Sequence, residues 1–143
     1  MCNSTTIHMN IKAIFMTLCD TLSDLFGWSS LNEKYESLSV DGFEEVVQEN
    51  RTVLLDVRTA EEYAESHIAR AIHIDMNDPK FKEKAQAVIG KHRTVAIYCR
   101  TGLKSKQAAS TLANSSLDIY ELKRGYITWV EAGKPIVLST SVN

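Results

Sequence analysis

Thr94-Val-Ala-Ile-Tyr98, running directly into Cys99-Arg100-Thr101-Gly102-Leu103-Lys104-Ser105, is the stretch that decides the fold. A short apolar run bounded by a turn signal reads as a buried strand. Ser105–Ala113 reads as the helix that follows. A strand that hands a cysteine to a short loop capped by a helix brings backbone N–H groups together at the sulfur. That placement favours the thiolate, which is the nucleophilic form. Taken alone, the stretch fits a buried packing cysteine equally well, because free cysteine is among the most buried residue types.

Outward from this segment, strands and helices alternate. Tyr35–Val40 alternates like a short strand, and Asp41 is placed to cap a helix carrying Phe43, Val46 and Val47. Val53-Leu54-Leu55 suits a buried parallel strand ending at Asp56. Ala60–Ser66 reads as a helix, Ala71–Ile74 as a brief strand, and Asp78-Pro79 as the start of another helix. Ile119–Leu122 is the last strand, and Gly125 opens a final turn that carries Trp129, expected in the core. This order predicts a three-layer α/β/α domain with a central parallel sheet of about five strands. Ligands of such sheets bind beyond the carboxyl ends of strands, where Cys99 lies.

With 143 residues, 44% hydrophobic and 24% charged, the chain is large enough for one domain with a true core. A net charge of −2 gives no field for nucleic acid, and no stretch approaches the roughly 20 apolar residues that span a bilayer. The cations Lys80, Lys82, Lys84, Lys91, Arg93, Arg100, Lys104 and Lys106 follow an acidic part (Glu44, Glu45, Glu49, Glu61, Glu62, Glu65). Such runs are solvated helix faces, although those beside Cys99 can draw a small anion.

Cys2, Cys19 and Cys99 form neither a disulfide framework nor a metal-spaced set, and His8, His67, His73 and His92 are scattered. No metal and no cofactor are expected. Residues 1–33 read as an extension before a domain over 34–143. Its Ile11, Ile14, Phe15, Leu18, Leu22, Leu25 and Phe26 recur at helical spacing. This amphipathic helix suits packing on the domain or on a second subunit, as in a homodimer. Met9 can serve as an alternative start, but the apolar core between Lys12 and Cys19 is short for a secretion signal. The expected location is cytoplasmic, with export or membrane-surface association through 9–27 left open.

Three separated segments together resemble the rhodanese family of sulfurtransferases. The first is Leu55-Asp56-Val57-Arg58 with Glu61-Glu62-Tyr63, His67-Ile68 and Ala71. The second is Cys99-Arg100-Thr101-Gly102-Leu103-Lys104-Ser105, similar to the family's active loop. The third is Arg124-Gly125-Tyr126-Ile127-Thr128-Trp129, similar to its C-terminal Gly-Gly-x-x-x-Trp. Ser66, Arg70 and Arg124 stand where the family prefers glycine, and Lys104 stands where its loop has arginine.

The resemblance implies that Cys99 takes the outer sulfur of a donor such as thiosulfate as a persulfide and passes it to cyanide, a thiol or a protein thiol. Amides from Arg100 to Ser105 are then expected to hold the anionic sulfur. Gly102 is expected to turn the loop with positive φ, and Ser105 to cap the helix and donate to the sulfur. Arg100 and Lys104 are candidates for the donor's oxyanion end, the lysine as a point charge in place of a two-pronged match. Asp56 and Arg58 either border the pocket or serve as a structural ion pair or helix cap, and His67 reads as a hydrogen-bonded structural residue. Cysteine phosphatases of related fold need an arginine where this chain has Ser105, so phosphate chemistry is not expected. A persulfide carrier without turnover, or a rhodanese-like binding module, is the remaining alternative.

Overall fold

The computed structural model describes residues 34–139; the amphipathic helix expected within 1–33 lies outside them. The chain divides after Glu33 into two units, and the fold below is that of the second. Its elements in order are β1 (Glu36–Leu38), α1 (Val40–Gln48), β2 (Thr52–Asp56), α2 (Ala60–Glu65), β3 (Ser66–His67) and β4 (Ile72–His73). They continue with α3 (Phe81–Ile89), β5 (Thr94–Tyr98), α4 (Leu103–Leu112), β6 (Asp118–Leu122), α5 (Gly125–Glu131) and β7 (Val137–Leu138). Five strands form one parallel sheet in the order β1-β6-β5-β2-β4, and β3 pairs antiparallel with β7 beside it.

Side chains alternate across a strand, and this alternation sorts the core into two layers. Val53, Leu55 and Val57 of the β2 region join Val95, Ile97 and Cys99 of the β5 region in one cluster, closed by Phe81, Ala85 and Ile89 of α3 and Ala108, Ala109 and Leu112 of α4. Leu54, Ala96 and Tyr98 lie in the other, against Phe43 and Val47 of α1 and Tyr126 and Trp129 of α5. There Phe43 meets Tyr98 and Trp129 edge-on, at centroid distances of 6.5 and 6.2 Å, the preferred aromatic geometry. The expected sheet is therefore present, and Trp129 is core, its indole N–H bonded to the Pro135 carbonyl at 2.9 Å.

Three local expectations are corrected. Asp41 does not cap α1; Ser39 does, accepting from the Gly42 amide at 3.3 Å, while Asp41 sits in the first turn near Lys134. The helix expected from Asp78-Pro79 starts at Phe81, because Asp78 closes a turn instead: its carboxylate accepts from the Lys80 amide and its carbonyl from that of Phe81. The helix after the cysteine begins at Leu103, so Ser105 lies inside its first turn and Gly102 is the N-cap.

Arg70 (φ 69°) and Arg124 (φ 63°) hold the left-handed backbone that glycine would take more easily. Arg70 is fastened there by its guanidinium on the Val47 carbonyl. Among the described residues no helix is long and apolar enough to cross a membrane, and no group of three His, Cys, Asp or Glu could hold a metal.

Candidate active site

Cys99 continues the alternation of β5 by one residue, which turns its side chain toward α4 and leaves it 2% exposed. The backbone then reverses at Gly102, whose φ of 101° is open to glycine and strained for other residues. This reversal carries the Gly102 amide back onto the sulfur, donating to Sγ at 3.0 Å.

The carbonyls of the same loop face elsewhere. Cys99 O accepts from the Tyr126 amide at 2.8 Å and Arg100 O from the Ile127 amide at 3.3 Å, both in the first turn of α5. A helix N-terminus has amides without intrahelical partners, and here they take the loop's carbonyls. The contact is backbone on backbone: a Cβ on Gly125 would fall 2.4 Å from Arg100 O, and one on Gly102 3.2 Å from the Arg124 nitrogen. The third motif therefore shapes the second.

Ser105 lies beneath the sulfur, fully buried. Its Oγ is 3.5 Å from Cys99 Sγ, 3.1 Å from the Gly102 carbonyl and 2.9 Å from Glu121 Oε2. One hydroxyl proton serves one acceptor at a time, and Glu121 Oε2 is the nearer one. With that proton on Glu121, the oxygen lone pair is left for the thiol S–H. The arrangement is thus opposite to the expected donation from Ser105 to sulfur. Glu121 is itself fully buried on β6 and accepts a second hydrogen bond from Ser37 of β1.

Sequence reading missed Glu121. Its signal was its alternation with Ile119 on one strand face, which gains meaning only once β6 lies inside the sheet between β1 and β5.

Asp56 and Arg58 occupy the other face of this sheet end, where Tyr98 points. The guanidinium grips Asp56 with Nε at 3.0 and 3.1 Å and Nη2 at 2.6 Å, and Nη2 also donates to Ser66 O at 2.6 Å. Its carbon lies 4.0 Å from the Tyr126 ring centroid. Burial opposes the Arg58 charge, yet the Asp56 hydrogen bond and field outweigh it and raise the guanidinium's pKa. Tyr98 donates to Asp56 at 2.6 Å and accepts from the Ile68 amide; burial first, then the Asp56 charge, pushes its phenol far above the ordinary range. This is the ion pair that the sequence allowed as the alternative to a pocket border.

The remaining loop residues face solvent to different degrees. Arg100 is 70% exposed and 3.9 Å from Glu62, a contact of little energetic weight. Thr101 and Leu103 are exposed, and Lys104 is half-buried. His67 donates from Nδ1 to the Tyr63 carbonyl (2.9 Å) and stacks on the Tyr63 ring.

A family model described as a rhodanese-like domain matches residues 39–132. Thiosulfate sulfurtransferase GlpE of Coxiella burnetii is 34% identical over 87 residues, 59% of this chain and 78% of that protein. A sulfurtransferase of Allochromatium vinosum is 35% identical over 86 residues, with the same two coverages of 59% and 78%. The crystal structure of a rhodanese-related protein from Thermoplasma volcanium superposes with a TM-score of 0.63 at 28% identity, over 73% of this chain and 99% of that one.

Proposed function

Since the chain belongs to the rhodanese-like domain family, we propose that it is a sulfurtransferase in which Cys99 carries the sulfur and residues 34–143 are the working domain. The observation that carries this reading is the Gly102 amide donating to Cys99 Sγ at the end of a central strand. A loop whose amide faces the sulfur, and whose carbonyls are drawn off to α5, stabilises negative charge on that sulfur. The names of the relatives from Coxiella burnetii and Allochromatium vinosum support the same chemistry.

In the first step the Cys99 sulfur attacks the outer sulfur of thiosulfate. The new S–S bond forms as the donor's S–S bond breaks, and sulfite leaves with the electron pair. In the second step cyanide or a thiolate attacks the outer sulfur of the persulfide, and Cys99 is released. Arg100 and Lys104, at the rim of the loop, supply positive charge for the oxyanion end of the donor; Thr101 and Leu103 complete the rim. Asp56 and Arg58 act from the other sheet face by holding Tyr98 and with it the end of β5. No cofactor or metal takes part.

Intact-mass measurement after thiosulfate treatment tests the reading. One added sulfur, about 32 Da, is expected, removable by cyanide and absent in Cys99→Ser. An adduct that persists in Cys99→Ser, or none in the wild-type chain, overturns it. An adduct without turnover to cyanide or small thiols identifies a persulfide carrier that serves a protein partner.

A further inference from the structure

We propose that Cys99, Ser105 and Glu121 share one negative charge. It rests on Glu121 while the sulfur is a thiol, and it moves to the sulfur when that becomes an obligate anion, the proton passing through Ser105 to Glu121. The resting half of this statement is argued from the hydrogen bonds that join Cys99, Ser105 and Glu121. The persulfide half rests on the sulfur-transfer reading.

Three observations carry it. Glu121 is fully buried, and among the described residues the partners of its carboxylate are two hydroxyls, Ser37 on Oε1 and Ser105 on Oε2. Among the described residues no cation lies within ion-pair distance of it; the pairs at this end of the sheet are Arg58 with Asp56 and Arg100 with Glu62. Ser105 stands between the carboxylate and the sulfur within hydrogen-bonding reach of both. A second anion one hydroxyl away, in a buried site without a cation, is strongly disfavoured. Protonation of Glu121 removes the conflict.

The other charged groups around the loop do not take this part. Asp56 and Arg58 form a closed pair on the opposite face, Arg100 is solvated, Lys104 is half-buried at the rim, and Arg124 is exposed.

The exchange balances. Cys99 thiol, Glu121 carboxylate and thiosulfate become Cys99 persulfide anion, Glu121 carboxylic acid and sulfite, with the total charge unchanged. The S–H bond breaks as its proton reaches Ser105 Oγ, and the former Ser105 proton forms the new O–H on Glu121 Oε2. The hydroxyl has then reversed: it accepts from Glu121 and turns its own proton toward the persulfide, whose charge is carried by the outer sulfur. Glu121 is a positioning residue here, because it acts on the sulfur only through Ser105.

Infrared difference spectroscopy reads the proton directly. Thiosulfate-loaded minus free protein is expected to gain one protonated-carboxyl C=O band per added sulfur, the sulfur being counted by intact mass. Cyanide removes the band, and whatever sulfur Glu121→Gln takes up, counted by intact mass, brings no band with it. A merely structural carboxylate produces no such band. Labelling glutamate carboxyls with carbon-13 shifts the band in the wild-type chain, which keeps the test independent of how the variant folds. Hydrogen peroxide provides a route to an anion without sulfur transfer: Cys99 thiol, Glu121 carboxylate and two peroxides give the sulfinate, Glu121 carboxylic acid and two waters. If thiosulfate leaves no adduct, the sulfur-transfer reading falls and the peroxide spectrum still decides the shared charge. No band in the loaded or oxidised protein, or a band that survives Glu121→Gln or ignores the glutamate label, overturns it.

Discussion

Two carboxylates, Asp56 and Glu121, are completely buried in the same sheet, on opposite faces, and their company differs in kind. Asp56 is held by a guanidinium, a phenol and a backbone amide, so its charge is matched by a cation at 2.6 Å. Glu121 is held by two serine hydroxyls. A carboxylate with a buried partner cation fixes a structure, whereas one bonded to hydroxyls can take a proton without losing its neighbours. Tyr98 and Cys99, adjacent in sequence, thus lead to a closed ion-pair clamp on one face and to a chain of hydroxyl contacts on the other.

The largest expected effect comes from removing the cation of the clamp. Arg58→Met strands Asp56 and should cost about 3–5 kcal/mol in urea denaturation, whereas Glu121→Gln, whose amide still meets both hydroxyls, should cost about 1 kcal/mol. Equal losses would erase the distinction. Gly125→Ala comes next, on the sulfur side. A positive φ of 74° alone costs about 1–3 kcal/mol, and the clash with Arg100 O adds to it. Sulfur loading should fall by about tenfold or more, because the loop can no longer dock on α5. Wild-type loading in this variant would show that the loop holds its shape unaided.

A smaller effect is visible only at alkaline pH. The Tyr98 phenol has its pKa raised in the folded chain, so the folded state resists the ionisation that the unfolded chain undergoes near 10.0. That contribution is fully present below this pH and is lost as pH rises above it. Tyr98→Phe should flatten the alkaline limb of the stability profile; an unchanged limb would remove Tyr98 from the clamp. The smallest effect is at the rim. Lys104→Arg should lower KM for thiosulfate by about threefold, since a planar fork matches an oxyanion better than a point charge. An unchanged or raised KM would take Lys104 out of donor binding.

Much of the clamp side was legible because it rests on local pattern. Apolar runs at β2 and β5 announce buried parallel strands, and Asp56 and Arg58, two residues apart at a strand end, allow an ion pair beside the pocket-border reading. Cys99 and Gly102 were legible for the same reason, being neighbours on one loop. Glu121 was not, since a carboxylate near the end of a strand looks solvated until strand order places it inside the sheet. The direction of the Ser105 hydrogen bond was hidden too, as it depends on a helix that starts two residues early and on that same glutamate. The service of α5 to the loop, amides of Tyr126 and Ile127 on carbonyls of Cys99 and Arg100, joins segments that no periodicity connects.

That last contact sets an order of events during synthesis. The strand and its cysteine leave the ribosome before the segment that aims the loop's amides at the sulfur. A nascent chain ending before Gly125 therefore lacks the amides that take the carbonyls of Cys99 and Arg100. On the proposed sulfur transfer, Cys99 gains its full cradle only as the final helix docks, which places the chemistry after the plain sequence of translation.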